Sequence, residues 1–86
     1  MNKMEKKNIL GILQKSIQET IIKDNDYELG YDEPLISSGV IDSFSLVDLA
    51  LMIEDKFGVK IEDYELNSDT FDTLAQLSDI ILTRLD

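Results

Sequence analysis

The sequence predicts an all-α fold, a small antiparallel bundle of three main helices plus one short helix, with a long loop between the first and second helices. Three observations support this prediction. Apolar residues recur every three or four positions in three separate stretches. Gly58 ends one stretch, and Thr73 with Gln76 opens another, as helix-capping residues do. A chain of 86 residues has material for one core, so residues 1–86 are expected to form a single domain.

The first helix is predicted from about Met4 to Ile22. Its apolar residues share one face, which should pack against the core: Ile9, Leu10, Ile12, Leu13, Ile17 and Ile21. Periodicity stops over residues 23–41, where glycine, proline and serine accumulate. Loops of this length are uncommon in small domains and are often functional. We expect its apolar side chains to hold it across the helices: Tyr27, Leu29, Leu35, Ile36 and Val40.

The second helix is predicted over residues 43–57 and is apolar on nearly all sides. One face should pack in the bundle and carries Leu46, Leu49, Ala50, Ile53 and Phe57. The opposite side combines Phe44, Val47, Leu51 and Met52 with the acids Asp48, Glu54 and Asp55. Because three carboxylates oppose full burial, this side is expected to dock a partner. The alternative is that Phe44 and Leu51 lie under the long loop.

Residues 59–67 form a predicted connector with one short helical turn and four apolar contacts, namely Val59, Ile61, Tyr64 and Leu66. Thr73 and Gln76 then form a capping box that opens the last helix. That helix carries its core residues at helical spacing: Leu74, Leu77, Ile80 and Ile81.

Composition excludes several classes of function. The chain has no cysteine or histidine, which removes thiol nucleophiles, histidine bases and zinc-finger chemistry. Eighteen acidic against eight basic residues give a net charge of −10, which would repel nucleic acid and favour basic partners. No apolar run is long enough for membrane insertion, so we expect a cytoplasmic protein.

A specific metal site is not predicted. The acids Asp24, Asp26 and Glu28 alternate as in a calcium-binding loop. Such a loop needs glycine at its sixth position and glutamate at its twelfth, where this chain has Leu29 and Leu35.

The pair Asp42-Ser43 stands at the start of the second helix. One of the two residues could simply cap the helix by accepting hydrogen bonds from free backbone N–H groups. Alternatively, the Ser43 hydroxyl could accept a phosphate-linked modification, which the positive end of the helix dipole would favour. No local base is available to activate Ser43, so a separate enzyme would have to do so.

The run Ser38-Gly39-Val40-Ile41-Asp42-Ser43-Phe44, followed by the apolar and acidic helix to Phe57, resembles acyl carrier proteins and peptidyl carrier domains. The resemblance implies that Ser43 carries a 4′-phosphopantetheine arm, installed from coenzyme A by a separate phosphopantetheinyl transferase. It also implies that Asp42 helps to hold the metal ion during this transfer. The thiol of the arm would hold an acyl or aminoacyl group as a thioester, and the chain itself would be a non-catalytic carrier.

The resemblance further assigns a docking surface, which comprises Phe44, Val47, Asp48, Leu51, Glu54 and Asp55. Its expected partners are the transferase, an adenylating enzyme that loads the cargo, and a downstream acyltransferase or synthase, each bound by a monomeric carrier. Fatty-acid carriers usually have leucine where this chain has Phe44, so it looks more like D-alanyl, aminoacyl or specialised-pathway carriers. The cargo stays open among fatty acyl, D-alanyl, aminoacyl and polyketide groups. The alternative function is an acidic interaction adaptor without a cofactor.

Overall fold

A computed structural model describes residues 5–24 and 26–85, and confirms the helical bundle with its long first loop. The described residues form three α-helices, which are α1 (Lys6–Ile17), α2 (Ser43–Phe57) and α3 (Leu74–Arg84). A π-helical turn at Gln18–Ile22 continues α1, and the predicted short helix is a 3₁₀ turn at Asp63–Glu65. The predicted start at Met4 lies outside the described residues. Across the described ranges, no helix has the length and hydropathy needed to cross a bilayer.

The core lies between the three helices and the segments that join them. Its buried apolar side chains are Ile9, Leu10, Leu13, Ile17, Leu29, Leu35, Ile41, Leu46, Leu49, Met52, Ile53, Val59, Ile61, Phe71, Leu74, Leu77 and Ile81. Helix α1 packs directly on α3, and a Lys6–Asp79 ion pair of 2.9 Å joins the two helices at their exposed edge. The predicted core faces of α1 and α3 are confirmed except at Ile12, which is only half-buried and lies outside the core. Ile12 lies about 100° around the helix from Leu13, beyond the packed face.

Two glutamine side chains fix the first part of the long loop to α1 and to the π-helical turn that continues it. The Gln14 side-chain amide donates to the Leu29 carbonyl oxygen at 2.5 Å, and the Gln18 amide donates to the Tyr27 carbonyl oxygen. Leu29 itself is only 1% exposed. The expectation that apolar residues hold this loop across the helices is confirmed.

Two further predictions about individual side chains are wrong. Met52, assigned to the open side of α2, is buried in the core. It lies about 60° around the helix from Leu49, at the edge of the packed face, where its flexible side chain can reach inward. Tyr64, predicted as a core contact of the connector, is 78% exposed. The 3₁₀ turn directs the next residue, Glu65, inward instead.

Glu65 and Arg84 form an ion pair that ties the 3₁₀ turn to the end of α3. The guanidinium Nη1 donates to Glu65 Oε1 at 3.0 Å and to the Lys60 carbonyl oxygen at 3.1 Å, while Nη2 donates to Glu65 Oε2. Hydrogen bonds from Arg84, with a further one from the Glu62 backbone N–H, lower the pKa of Glu65 to about 2. Two-point contact makes this pair stronger than an ordinary surface ion pair.

The Glu65→Gln substitution should destabilise the fold by about 1–3 kcal/mol at neutral pH, because it removes a charge-assisted pair from a buried position. The folded-state pKa of Glu65 lies below its ordinary value, so the stabilisation is complete above about pH 5 and is lost as the pH falls towards 2. Urea unfolding at several pH values should therefore give a shallower acid dependence for Glu65→Gln than for the wild type. Asp63→Asn is the matched control, since Asp63 is exposed on the same turn. Equal acid dependence in wild type and Glu65→Gln would contradict the role assigned to this pair.

Candidate functional site

Asp42 is the N-cap of α2. Its backbone is extended, and its Oδ1 accepts a hydrogen bond from the Ser45 backbone N–H at 2.8 Å. This bond is the main cause that lowers the pKa of Asp42, with smaller contributions from the Ser45 side chain and the Phe44 N–H. The carboxylate is therefore charged at neutral pH. The sequence did not decide whether Asp42 or Ser43 caps the helix, and the structure shows that Asp42 does.

Because Asp42 caps the helix, the Ser43 hydroxyl is left available for chemistry. Ser43 is the first residue of α2 and is exposed. Its Oγ forms no hydrogen bond with any other residue in the described ranges. It stands at the positive end of the helix dipole, where a negatively charged phosphodiester is stabilised. An accessible hydroxyl in such a field fits the attachment point of a phosphate-linked group.

The loop that leads into α2 is anchored by Asp72, the residue that precedes the cap of α3. Asp72 Oδ1 accepts from the backbone N–H groups of Ile36 at 2.7 Å and Ser37 at 2.9 Å, and Oδ2 accepts from the Ser37 hydroxyl at 2.5 Å. The Asp72 carbonyl oxygen accepts from the Leu35 N–H at 2.7 Å. These bonds lower the pKa of the Asp72 carboxyl, and the bond from the Ser37 hydroxyl contributes most.

Sequence reasoning did not identify Asp72 as part of the site. An aspartate beside the cap of a helix is unremarkable in sequence, and its partners lie 35 and 36 positions earlier in the chain. The only local signal is that Thr73 already provides the cap of α3 through its hydroxyl, which accepts from the Gln76 N–H at 3.1 Å. The Asp72 carboxylate is thus left free for a distant partner.

The chain reverses direction between this anchor and α2. The Gly39 N–H donates to the Ile36 carbonyl oxygen at 3.1 Å, and Gly39 has a φ of 84°, which favours glycine over residues with a side chain. The Ile41 N–H then donates to the Leu35 carbonyl oxygen at 2.9 Å. This short closed turn brings the buried Ile41 to the position directly before Asp42.

The predicted docking surface on α2 is exposed. Phe44 is 85% exposed, Val47 53% and Leu51 60%, so the alternative in which Phe44 and Leu51 lie under the loop is wrong. The acidic members of the surface, Asp48, Glu54 and Asp55, are exposed as well. Spacings of three, four and seven residues put these side chains along one side of the helix, beginning next to Ser43. Several large apolar side chains are exposed among acids here, a pattern typical of interaction surfaces.

Comparison with known families agrees with this geometry. A family model described as a phosphopantetheine attachment site matches residues 13–81, which is most of the chain. The chain belongs to this family. It is therefore a carrier protein that holds its substrate on a covalently attached 4′-phosphopantetheine arm. Carriers of this family interact in general with loading and transferase enzymes and are generally non-catalytic.

Individual relatives are similar over most of their length. The D-alanyl carrier protein of Bacillus pumilus is 34% identical over 71 residues, covering 81% of this chain and 85% of the relative. The D-alanyl carrier protein of Bacillus subtilis is 30% identical over 79 residues, covering 87% and 95%. The acyl carrier protein of Coprothermobacter proteolyticus is 30% identical over 82 residues, covering 95% and 96%. No solved structure gives a significant match to the chain.

The exposure of Phe44 leads to a prediction about stability. Phe44→Ala should change the free energy of unfolding by no more than about 0.5 kcal/mol, because the side chain is largely surrounded by solvent. Phe71→Ala is the contrasting control, since Phe71 is 1% exposed and its truncation should cost about 3–5 kcal/mol. Urea denaturation followed by circular dichroism measures both. A loss for Phe44→Ala comparable to that for Phe71→Ala would show that Phe44 belongs to the core.

Proposed function

We propose that Ser43 is the attachment site and that the chain is an aminoacyl carrier whose cargo is D-alanine. The observation that supports the attachment site is the exposed Ser43 hydroxyl, which forms no hydrogen bond with the described residues and lies beside the charged Asp42 cap. In the transfer, a base of the transferase takes the Ser43 proton, and the Ser43 oxygen bonds to the phosphorus of coenzyme A that bears the pantetheine. The pyrophosphate bond breaks and the nucleotide half of coenzyme A leaves. When bound, the arm supplies the thiol that holds the cargo as a thioester.

The residues around Ser43 have separate tasks in this proposal. Asp42 holds Ser45 and the first turn of α2 in place through one oxygen. Its negative charge also suits it to assist the metal ion that accompanies the transferase reaction. The N-terminus of α2 stabilises the phosphodiester once it has formed. The chain acts as a single, monomeric and non-catalytic carrier domain in the cytoplasm, and the chemistry belongs to its partner enzymes.

The cargo assignment is supported by the relatives. The D-alanyl carrier proteins of two Bacillus species are 30% and 34% identical to this chain. The chain also has Phe44 after the serine, where fatty-acid carriers usually have leucine. The partners that follow are a phosphopantetheinyl transferase, an enzyme that adenylates D-alanine and loads it on the arm, and a downstream acyltransferase.

The attachment site is tested by intact-protein mass spectrometry after incubation of the apo protein with coenzyme A and a promiscuous phosphopantetheinyl transferase. Wild type should gain one phosphopantetheine and Ser43→Ala none. The Ser43→Ala protein should fold normally, with a stability within about 0.5 kcal/mol of wild type, because the hydroxyl has no bond within the described fold. The matched controls Ser38→Ala and Ser45→Ala should gain the arm as wild type does. A modified Ser43→Ala protein would refute the assignment.

The cargo is tested in the same experiment by adding ATP and a D-alanine-adenylating ligase to the modified protein. The mass should increase by one D-alanyl group, and hydroxylamine should remove it, as expected for a thioester. A fatty-acyl-loading enzyme with its substrate is the parallel reaction. If only the fatty acyl group is loaded, the cargo assignment is wrong while the attachment site stands.

The docking surface should show two separable contributions to loading. Asp48→Lys should lower kcat/KM severalfold at low salt, and added salt should reduce the difference, because exposed charges mainly steer association. Phe44→Ala should raise KM at both salt concentrations, since a desolvated aromatic contact can contribute about 2 kcal/mol or more to binding. Steady-state loading against carrier concentration at two ionic strengths measures both effects.

Glu19→Lys is the matched control for charge, because it makes the same change in net charge at an exposed position in the π-helical turn after α1. It should behave like wild type at both ionic strengths. If Glu19→Lys lowers kcat/KM as much as Asp48→Lys does, net charge rather than the α2 surface governs association. If neither Asp48→Lys nor Phe44→Ala changes loading, the docking surface lies elsewhere on the chain.

A further inference from the structure

The attachment segment depends on a contact from the other end of the chain. Three donor groups of the turn at residues 35–38 bond to the Asp72 carboxylate. They are the Ile36 N–H, the Ser37 N–H and the Ser37 hydroxyl. A fourth bond joins the Leu35 N–H to the Asp72 carbonyl oxygen. A carboxylate that accepts several N–H and O–H bonds is a strong local anchor, since bonds to a charged acceptor are stronger than neutral ones.

The anchored turn continues directly into the attachment site. Ile41 closes the turn by donating its N–H to the Leu35 carbonyl oxygen, and Asp42 and Ser43 follow in sequence. The position of the Ser43 backbone is thus set by two fixed points: α2 on one side and the turn held by Asp72 on the other. Residues 37–39 are exposed, so apolar burial does not hold this part of the loop.

The Asp72 carboxylate contributes to the loop and not to the cap of α3. The cap of α3 is the Thr73 hydroxyl, and the Gln76 side chain accepts from the N–H groups of Asp72 and Thr73 at 2.7 and 3.2 Å. Two adjacent residues therefore perform different tasks. Thr73 stabilises the helix to which it belongs, and Asp72 orders a turn that lies far away in sequence.

We propose that Asp72 is a positioning residue for the modification of Ser43: it holds the turn before α2 in the form that the phosphopantetheinyl transferase binds. This inference rests on the proposed function of Ser43. When Asp72 is truncated, the half-buried N–H of Ile36 and the exposed N–H of Ser37 bond to water instead, so the fold is kept while the turn loses its order. The transferase must then order the turn as it binds, which weakens binding and leaves the chemical step unchanged.

The test compares Asp72→Ala with Thr73→Ala in the transferase reaction, each measured as KM and kcat for the apo carrier. Asp72→Ala should raise KM by about three- to tenfold, as expected for loss of charge-assisted bonds, with kcat within about twofold of wild type. Thr73→Ala removes the adjacent cap and should leave KM unchanged, although it destabilises the helix. A general loss of stability would affect both variants alike.

Conservative variants sharpen the assignment. Asp72→Asn keeps an oxygen for the Ile36 and Ser37 N–H groups and an amide that can donate to the Ser37 hydroxyl, so it should restore most of the wild-type KM. Ser37→Ala removes one bond of the anchor and should raise KM by about two- to threefold. Because Ser37 is exposed, this variant keeps the proposal testable even if Asp72→Ala fails to fold. In an Asp72→Ala background that folds, Ser37→Ala should have no further effect.

Amide hydrogen exchange gives a second readout that does not require the enzyme. In Asp72→Ala, the amides of Ile36, Ser37 and Ile41 should exchange about tenfold faster or more, while the core amides of α1 keep their protection. In Thr73→Ala these three amides should exchange as in wild type.

The proposal is overturned if Asp72→Ala keeps the wild-type KM, or if Thr73→Ala raises KM as much as Asp72→Ala does. It is also overturned if Asp72→Ala lowers kcat alone, since a chemical role would then be indicated. Wild type that is not modified at Ser43 refutes the proposed function instead. These results are distinguishable, because every KM comparison is made only after the wild-type product has been mapped to Ser43.

Discussion

The main constraint on this structure is that three short helices do not enclose a core by themselves. A domain of this size buries about 60% of its unfolded surface, a smaller fraction than larger domains bury, and each helix here packs only one side on the core. The long first loop covers the remaining side of the core with Leu29, Leu35 and Ile41, which are all nearly inaccessible to solvent. Each such side chain contributes about 1.5–3 kcal/mol when it is fully buried, so the loop is a structural element of the core.

The same constraint explains why the site can be both exposed and ordered. The buried residues Leu35 and Ile41 bracket the turn before α2, and Asp72 holds the exposed part between them. Asp42 then satisfies the first turn of the helix through the Ser45 N–H. The Ser43 hydroxyl, by contrast, is exposed and forms no hydrogen bond within the described residues. This combination suits the role proposed for Ser43, because an attachment hydroxyl must reach an enzyme active site from a surface of defined shape.

The distribution of charge separates the stabilising ion pairs from the open acids. The ion pairs in the described part of the chain join α1 to α3 through Lys6 and Asp79, and the 3₁₀ turn to α3 through Glu65 and Arg84. Five of the eight basic residues lie within residues 1–23, and three lie in the rest of the chain. The acids of α2 are outside these pairs and are exposed. Two of the eight basic residues, Lys6 and Arg84, thus form internal ion pairs, and the acidic charge of α2 faces the solvent.

The sequence by itself determined the helices of this protein and the exposed side of α2. Helical periodicity predicted the three helices, Gly58 the end of the second and the Thr73 capping box the start of the third, because these are local features of the chain. The open side of α2 was also predictable, since acids among apolar residues resist burial. Which member of the Asp42-Ser43 pair caps the helix, by contrast, depends on backbone dihedral angles that two adjacent polar residues do not reveal.

Tertiary structure decided the contacts between distant parts of the chain. The anchor from Asp72 to the turn at residues 35–38 and the pair between Glu65 and Arg84 depend on where the chain returns after α2. The burial of Met52 and the exposure of Tyr64 follow from the same packing. Periodicity gives the direction of a side chain around its own helix, but it gives no information on which segment lies opposite. The opposing segment is defined only once the helices have packed, and it determines which polar side chains bond to the loop and which stay exposed to solvent.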